Sequence, residues 1–156
     1  MNRLRTTIPM LLLAGAPAWA QGQVEEIRPL KPGGTVTVEN LAGSVRVQGW
    51  DRDEVKVLAD LGRGTERLAV DSDPDSVEIE VVLQSGRHRQ VEGSDLEIWV
   101  PRRIELGVET VSAAIELEGL AGSAEIESVS GRIRVSGDLE ELSIEAVSGL
   151  VEVASS

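Results

Sequence analysis

The stretch ESVSGRIRVSG, residues 127–137, recurs in altered form on both sides of itself in the chain. The two related copies are ETVSAAIELEG (109–119) and EAVSGLVEVAS (145–155), so the repeat period is about 18 residues. Aligned on this period, residues 104–156 give five aliphatic columns, which begin at Leu106, Val108, Val111, Ile115 and Leu117. In the fourth column, Ile115 is followed by Ile133 and Val151. Aliphatic columns at one fixed period indicate a repeat architecture, in which each unit packs against its neighbours.

Apolar and polar residues alternate within each repeat. The segment Ile133-Arg134-Val135 is typical, and this period of two indicates half-buried β-strands. Gly and Ser stand at the bends between strands, where small or permissive residues are needed. At roughly 3.3 Å per residue, each repeat is long enough to circle once and lie about 4.8 Å from its predecessor. We therefore predict an all-β fold, a short single-stranded β-solenoid with about 18 residues per coil.

The same unit occurs once near the start of the chain, before the period is lost. VENLAGSVRV (38–47) aligns with VETVSAAIEL (108–117), so it predicts a first coil. Strand patterns follow at 55–57, 66–70, 76–83 and 96–100, with a turn at 71–75 and a polar loop at 84–93. The segment between the first coil and the later coils therefore predicts an inserted hairpin or meander.

The segment 1–20 has the features of a secretory signal peptide. Arg3 and Arg5 precede a short apolar run, and Ala18-Trp19-Ala20 fits a signal-peptidase site. The apolar run is shorter than the roughly 20 residues that span a bilayer. We predict cleavage near Ala20, a linker over 21–33, a β-strand-repeat domain over 34–156, and a periplasmic or secreted protein.

Composition narrows the possible partners. The whole chain has a formal charge of −12, and without Arg3 and Arg5 its 13 basic residues stand against 27 acidic ones, a charge of −14. Such a charge argues against nucleic acid or an anionic membrane as the main partner. The chain contains no Cys, Phe or Tyr, so its core must be aliphatic and without disulfides.

The final strand, Val151-Glu152-Val153, predicts an unpaired sheet edge, which proteins usually cover. Two explanations remain open: a C-terminus shortened within a coil, or pairing of this edge with another copy. We predict self-association through this C-terminal edge strand.

Two outward columns differ in charge. Glu116, Arg134 and Glu152 alternate in sign, which favours attraction between coils. A second column, Glu109, Glu127 and Glu145, has one sign only. These carboxylates either spread into water or are neutralised by neighbouring cations or a metal.

Few residues are candidates for ligand or partner contact. Trp99 alternates out of step with Ile98 and Val100, so it either binds a sugar or a partner or lies under the hairpin. Trp50 is expected to cap the open end of the first coil. The basic group Arg87, His88 and Arg89 either contacts an anionic partner or is a solvated loop.

Motifs for chemistry are missing from the sequence. The chain has a single His, no phosphate-binding glycine loop and no His cluster spaced for a metal. Calcium repeats would need a glycine pair and an Asp that VSGRIRVSG lacks. We therefore predict no catalytic residue, no cofactor and no metal site.

Three motifs resemble the bacterial putative-adhesin family of β-strand-repeat proteins of unknown function. They are VRVQGWDRDEVKV (45–57), WVPRRIEL (99–106) and the repeated V-S-G-x-[IV]-x-V. The resemblance covers most of residues 34–156, and Ala113 departs from it where later coils have Gly. It implies an exported or envelope-associated all-β protein with an adhesive or envelope-stress role and no catalytic residues to carry over.

Together these observations predict a non-enzymatic, exported, adhesin-like or cell-envelope interaction module. Its partner would be an unknown envelope protein or glycan. Two alternatives stay open: a β-helical polysaccharide-active enzyme and a purely structural envelope protein.

Overall fold

All regular structure in the described chain is β-strand. The computed structural model describes residues 23–86 and 90–154, and over these residues the chain forms eleven strands and no helix. The all-β prediction is therefore confirmed, and nothing in these residues is a helix able to cross a membrane. The strands are β1 (Gln23–Pro29), β2 (Thr35–Trp50), β3 (Glu54–Asp60), β4 (Thr65–Asp73), β5 (Ser76–Leu83), β6 (Ser94–Pro101), β7 (Glu105–Leu120), β8 (Ser123–Ser130), β9 (Arg132–Gly137), β10 (Glu141–Ala146) and β11 (Leu150–Ala154).

Two long strands, β2 and β7, organise the sheet because each contributes to two hydrogen-bonded arms. The first arm runs in the order β4-β5-β2-β7-β8-β10. The second arm runs in the order β1-β3-β6-β2-β7-β9-β11. Inward side chains of both arms form one buried aliphatic cluster. Each arm thus covers one side of a shared core.

The register of the C-terminal strands reproduces the period of the sequence repeat. β7, β8 and β10 pair in parallel, with Val108 opposite Ile126 and Ile126 opposite Ile144. In the second arm, Ile133 lies opposite Ile115 on one side and Val151 on the other. The predicted stacking of this aliphatic column is confirmed.

The spatial order of the layers differs from their order in the chain. β2 pairs with β7 in parallel, and Val38 lies opposite Val108, the residue with which it aligns in the sequence. On its other side β2 pairs with β5 and β6, where Val38 lies opposite Ile79 and Val45 opposite Leu96. The predicted hairpin is present as β4 and β5, joined at 74–75. The inserted segment therefore builds a layer on the outer side of β2.

Strand β1 occupies part of the segment that the sequence predicted as a linker. It pairs antiparallel with β3, with Ile27 opposite Lys56, and forms an edge of the second arm. Its sequence, QVEEIRP, is mostly polar, which suits an edge strand that is half-buried on one side only. The predicted signal peptide, residues 1–20, lies outside the described residues.

The corner between the two arms is polar and tightly packed. Asn40 is buried, and its amide donates hydrogen bonds to the carbonyl of Ser94 at 2.9 Å and to that of Ser44 at 3.4 Å. Further along the corner, Thr110 donates to Ser128 at 3.1 Å, and Ser128 donates to the carbonyl of Ser130 at 3.1 Å. These bonds satisfy backbone groups where the ladders bend.

Candidate functional site

Trp99 lies on the outer face of β6, and its neighbours are residues of β2 and β3 instead of the expected hairpin. Its ring is half-buried and tilted against that of Trp50, with the ring centroids 6.3 Å apart. The ammonium of Lys56 lies 5.2 Å from the Trp99 ring centroid. The β4–β5 hairpin extends the first arm, whereas β6 belongs to the second, so β3 and not the hairpin lies beside Trp99. Whether this ring contacts a ligand stays a prediction.

Trp50 does not cap an open end, contrary to the prediction. It ends β2, which has β6 on one side and β7 on the other, so that layer has no open apolar end among the described residues. The indole of Trp50 instead donates a hydrogen bond to the carbonyl of Glu54 at 2.8 Å, and the guanidinium of Arg52 lies 5.0 Å from the ring centroid. The basic group Arg87, His88 and Arg89 lies outside the described residues.

A row of five outward glutamates crosses the first arm. The sequence repeat groups three of these glutamates, and the parallel register adds two more glutamates from the N-terminal half to the same row. We call this row the acidic ladder; in spatial order its members are Glu80, Glu39, Glu109, Glu127 and Glu145. All five are exposed, and neighbouring strands are about 4.8 Å apart. The row therefore extends over roughly 19 Å.

A second row of exposed aliphatic side chains runs beside the acidic ladder, each two residues after one of four ladder glutamates. We call it the aliphatic ladder, and its members are Leu41, Val111, Val129 and Val147. Their exposed fractions range from 39% to 83%. One of the five aliphatic columns therefore lies outside the core. Buried polar side chains occupy the intervening position, so strict alternation turns Val111 outward with Glu109.

The two ladders line one shallow groove of about 730 Å³. Within the described part of the chain, its lining consists of glutamates, aliphatic residues and the polar residues Asn40, Thr110 and Ser128, with no Lys or Arg. Small-molecule and cofactor sites are commonly concave surfaces of this size with an apolar component. The sequence contained the signal for this groove, because alternation from Val108 through Val111 indicates which residues face outward.

The pKa of one member of the acidic ladder, Glu39, is raised. Partial burial raises the pKa of Glu39, and the charges of Glu80, Glu109 and Glu78 raise it further. The parallel register places Glu39 between Glu80 and Glu109, and like charges at adjacent positions of a sheet are destabilising.

The second arm shows the opposite pattern of charge. There the outward row alternates in sign, in the order Glu97, Arg46, Glu116, Arg134 and Glu152. Arg46 lies 3.3 Å from the Glu116 carboxylate, and Arg134 lies 3.0 Å from Glu152. A hydrogen bond from Glu118 lowers the pKa of Glu116, and the positive charges of Arg46 and Arg134 lower it further. The same hydrogen bond raises the pKa of Glu118. The predicted alternation is confirmed and extends over five layers.

The carboxylates do not form an evident centre for metal or acid–base chemistry. Within residues 23–86 and 90–154, no three His, Cys, Asp or Glu side chains converge in a way that could hold a metal ion. The acidic ladder offers many pairs at one repeated spacing, so no single pair stands out as a catalytic acid and its partner.

Comparison with known proteins gives a match in fold. No protein-family model and no curated protein matches this chain. The structure is similar to a "putative cell adhesion protein" from Clostridium sporogenes ATCC 15579, with a TM-score of 0.51 and 10% identity over 86% of this chain and 100% of that one. The two proteins therefore share a fold.

Two further solved structures are more distant. One is a "putative adhesin" from Parabacteroides distasonis ATCC 8503, 9% identical over 83% of this chain and 66% of that one, with a TM-score of 0.34. The other is a "putative adhesin" from Bacteroides fragilis NCTC 9343, 9% identical over 86% and 97% of the two chains, with a TM-score of 0.33.

Proposed function

We propose that this protein is an exported, non-enzymatic, adhesin-like module that binds a component of the cell envelope. The observation that carries the proposal is the stack of parallel layers, which displays rows of outward side chains at a fixed spacing. The fold shared with the "putative cell adhesion protein" from Clostridium sporogenes supports the same function class. The partner is an envelope protein or a glycan.

Binding and hydrolysis can be separated in one experiment. The purified chain is applied to a glycan array, and bound glycans are then analysed for new reducing ends. Binding with no new reducing ends supports the proposal. New reducing ends would instead establish the polysaccharide-active alternative. If no glycan binds, a pull-down from envelope extract follows, and failure to bind there as well would favour a purely structural role. Loss of glycan binding in Trp99→Ala would place the contact at that ring.

We also propose that the layers are coils of a short β-solenoid with about 18 residues per coil. The constant sequence offset between register partners in β7, β8 and β10 supports this architecture. Deletion of residues 123–140 removes one whole period and should leave a protein that still unfolds cooperatively. Deletion of 123–131 removes half a period and should abolish cooperative unfolding. Similar behaviour of the two deletions would contradict the proposed coil.

Export and domain limits are part of the proposal. Signal-peptide removal near Ala20 would leave the segment 21–33 before the repeat domain at 34–156. Intact-mass analysis of the exported protein tests the cleavage site, and retention of Met1 would refute it.

Self-association through β11 is proposed as well. In the last layer, the apolar side chains of Leu150, Val151 and Val153 are exposed at the sheet edge. A second copy could pair with this edge and cover those side chains. Sedimentation analysis should show a concentration-dependent dimer, and a monomer at all concentrations would contradict the proposal.

A further inference from the structure

The groove on the first arm combines an exposed apolar row with a row of carboxylates. The aliphatic ladder is a contiguous apolar row, and such rows on a soluble surface commonly mark interaction sites. The acidic ladder beside it has five carboxylates, and no basic residue of the described chain lines the groove. An occupant of this groove must therefore supply both apolar contact and positive charge.

The second arm provides an internal comparison. Its outward row has the same number of charged positions on the same kind of parallel layers, yet each acid there has an arginine at the adjacent register position. The fold is thus compatible with a self-compensated row. In the acidic ladder, by contrast, every register neighbour of a glutamate on a parallel strand is another glutamate.

We propose that this groove binds a basic amphipathic α-helix of a partner protein. Lysines and arginines on one side of the helix would pair with the acidic ladder, and leucine-type residues on the adjacent side would cover the aliphatic ladder. This inference rests on the proposed function as a binding module, and it specifies the surface and the chemistry of the partner.

The spacing of the ladders favours a helix over other cations. Successive glutamates are about 4.8 Å apart, which is close to the roughly 5.4 Å between successive turns of an α-helix. Residues on one side of an extended peptide recur at roughly 6.6 Å, which falls out of step within two layers. A linear polyamine could follow the carboxylates, but it has no separate apolar side for the aliphatic ladder. At about 1.5 Å per residue, a ladder of roughly 19 Å corresponds to a helix of about 13 residues.

The binding test uses a designed peptide of about 14 residues with capped ends, in which Lys and Leu occupy adjacent helical faces. A control peptide has the same composition with Lys and Leu in strict alternation, and spermine serves as a non-peptide cation. Titration calorimetry on the full chain should detect the helical peptide, with at least tenfold weaker binding of the control peptide and of spermine. Equal binding of spermine or of the alternating peptide would overturn the proposal.

Paired variants locate the site. Glu109→Gln/Glu127→Gln should weaken binding of the helical peptide at least tenfold, and Val111→Thr/Val129→Thr should do so severalfold with little change in shape. The matched control is Glu105→Gln/Glu125→Gln, which removes the same charge from exposed positions on the same two strands and should change affinity less than twofold. Urea unfolding of each variant confirms that it is folded.

The outcomes separate this inference from the proposed function. If the helical peptide does not bind, or if the Glu105/Glu125 pair weakens it as much as the Glu109/Glu127 pair, the groove proposal is wrong. The glycan and export experiments would be unaffected by that result. Conversely, new reducing ends on the glycan array would refute the non-enzymatic function and leave the peptide data intact.

Discussion

Replacement of Val135 and, separately, of Val153 by alanine makes the same chemical change in two adjacent layers. The two valines are register partners in β9 and β11, and both belong to the inward column that begins at Leu117. Val135 is 2% exposed, whereas Val153 is 58% exposed. The pair therefore measures how much of the stability depends on having a layer on each side.

The expected losses follow from burial. Val→Ala removes the equivalent of two methylene groups, about 0.8 kcal/mol each when fully buried. Val135→Ala should therefore lose roughly 1.6 kcal/mol in transfer, and a residual cavity of about 40 Å³ adds about 1 kcal/mol. At Val153 less than half of the side chain is buried and no closed cavity forms, so the loss should be about 0.7 kcal/mol at most.

Urea unfolding of the wild type and both variants measures these losses, provided that the m-value is unchanged. The two variants should differ by about 2 kcal/mol in the free energy of unfolding. If Val135→Ala and Val153→Ala lose the same free energy of unfolding even at low protein concentration, the stacked-layer reasoning is refuted. Equal losses only at high concentration would show that a second copy covers the last layer.

Three further perturbations test the charges and the corner. Glu39→Gln should stabilise the protein by a few tenths of a kcal/mol at neutral pH, after allowance for screening of an exposed group. The pKa of Glu39 is raised in the native state, so ionisation of Glu39 destabilises the native state above that pKa. Below the pKa of the unfolded state the carboxyl is protonated in both states, and the stability gain from Gln should vanish. Urea midpoints measured against pH test this. A Gln variant that stays more stable in acid would contradict this. Arg134→Glu places three acids in a row with Glu116 and Glu152 and should destabilise by about 1 kcal/mol in low salt. Thermal unfolding with added NaCl should show a smaller loss, and an undiminished loss would count against repulsion. Gly131 has a φ of 126°, and a Cβ there would collide with the Ala113 carbonyl, so Gly131→Ala should cost about 1–3 kcal/mol. Gly107→Ala, where no atom lies within 4 Å of the added Cβ, is the control and should be nearly neutral.

The period of the C-terminal repeats was sufficient to predict their packing. In parallel strands of adjacent layers, register partners are separated in sequence by the length of one repeat. The alignment of Val38 with Val108 predicted in the same way that β2 resembles β7, and the two pair directly. Local alternation and turn residues were also sufficient for the β4–β5 hairpin.

Three features could not be obtained in that way. Residues 59–101 break the period, so no column indicated that β5 and β6 lie on the far side of β2. β1 is short and polar, and its pairing with β3 depends on an edge formed only by the folded sheet. The groove was missed because Val111, Val129 and Val147 form an aliphatic column that residue type alone does not distinguish from the columns facing the core.

The position of β2 between layers made later in the chain has a consequence for folding during synthesis. Val38 is separated by a long stretch of sequence from its β7 partner, Val108, whereas Val108 is separated from its β8 partner, Ile126, by a single repeat. Closing the longer loop is entropically more demanding, so the C-terminal layers should assemble first. Until then the edge of this 16-residue strand that faces β7 stays unpaired and is a template for wrong pairing, whereas β5 and β6 are already available to pair with its other edge. Pulse-labelled hydrogen exchange should therefore find amides of β2 protected after those of β8.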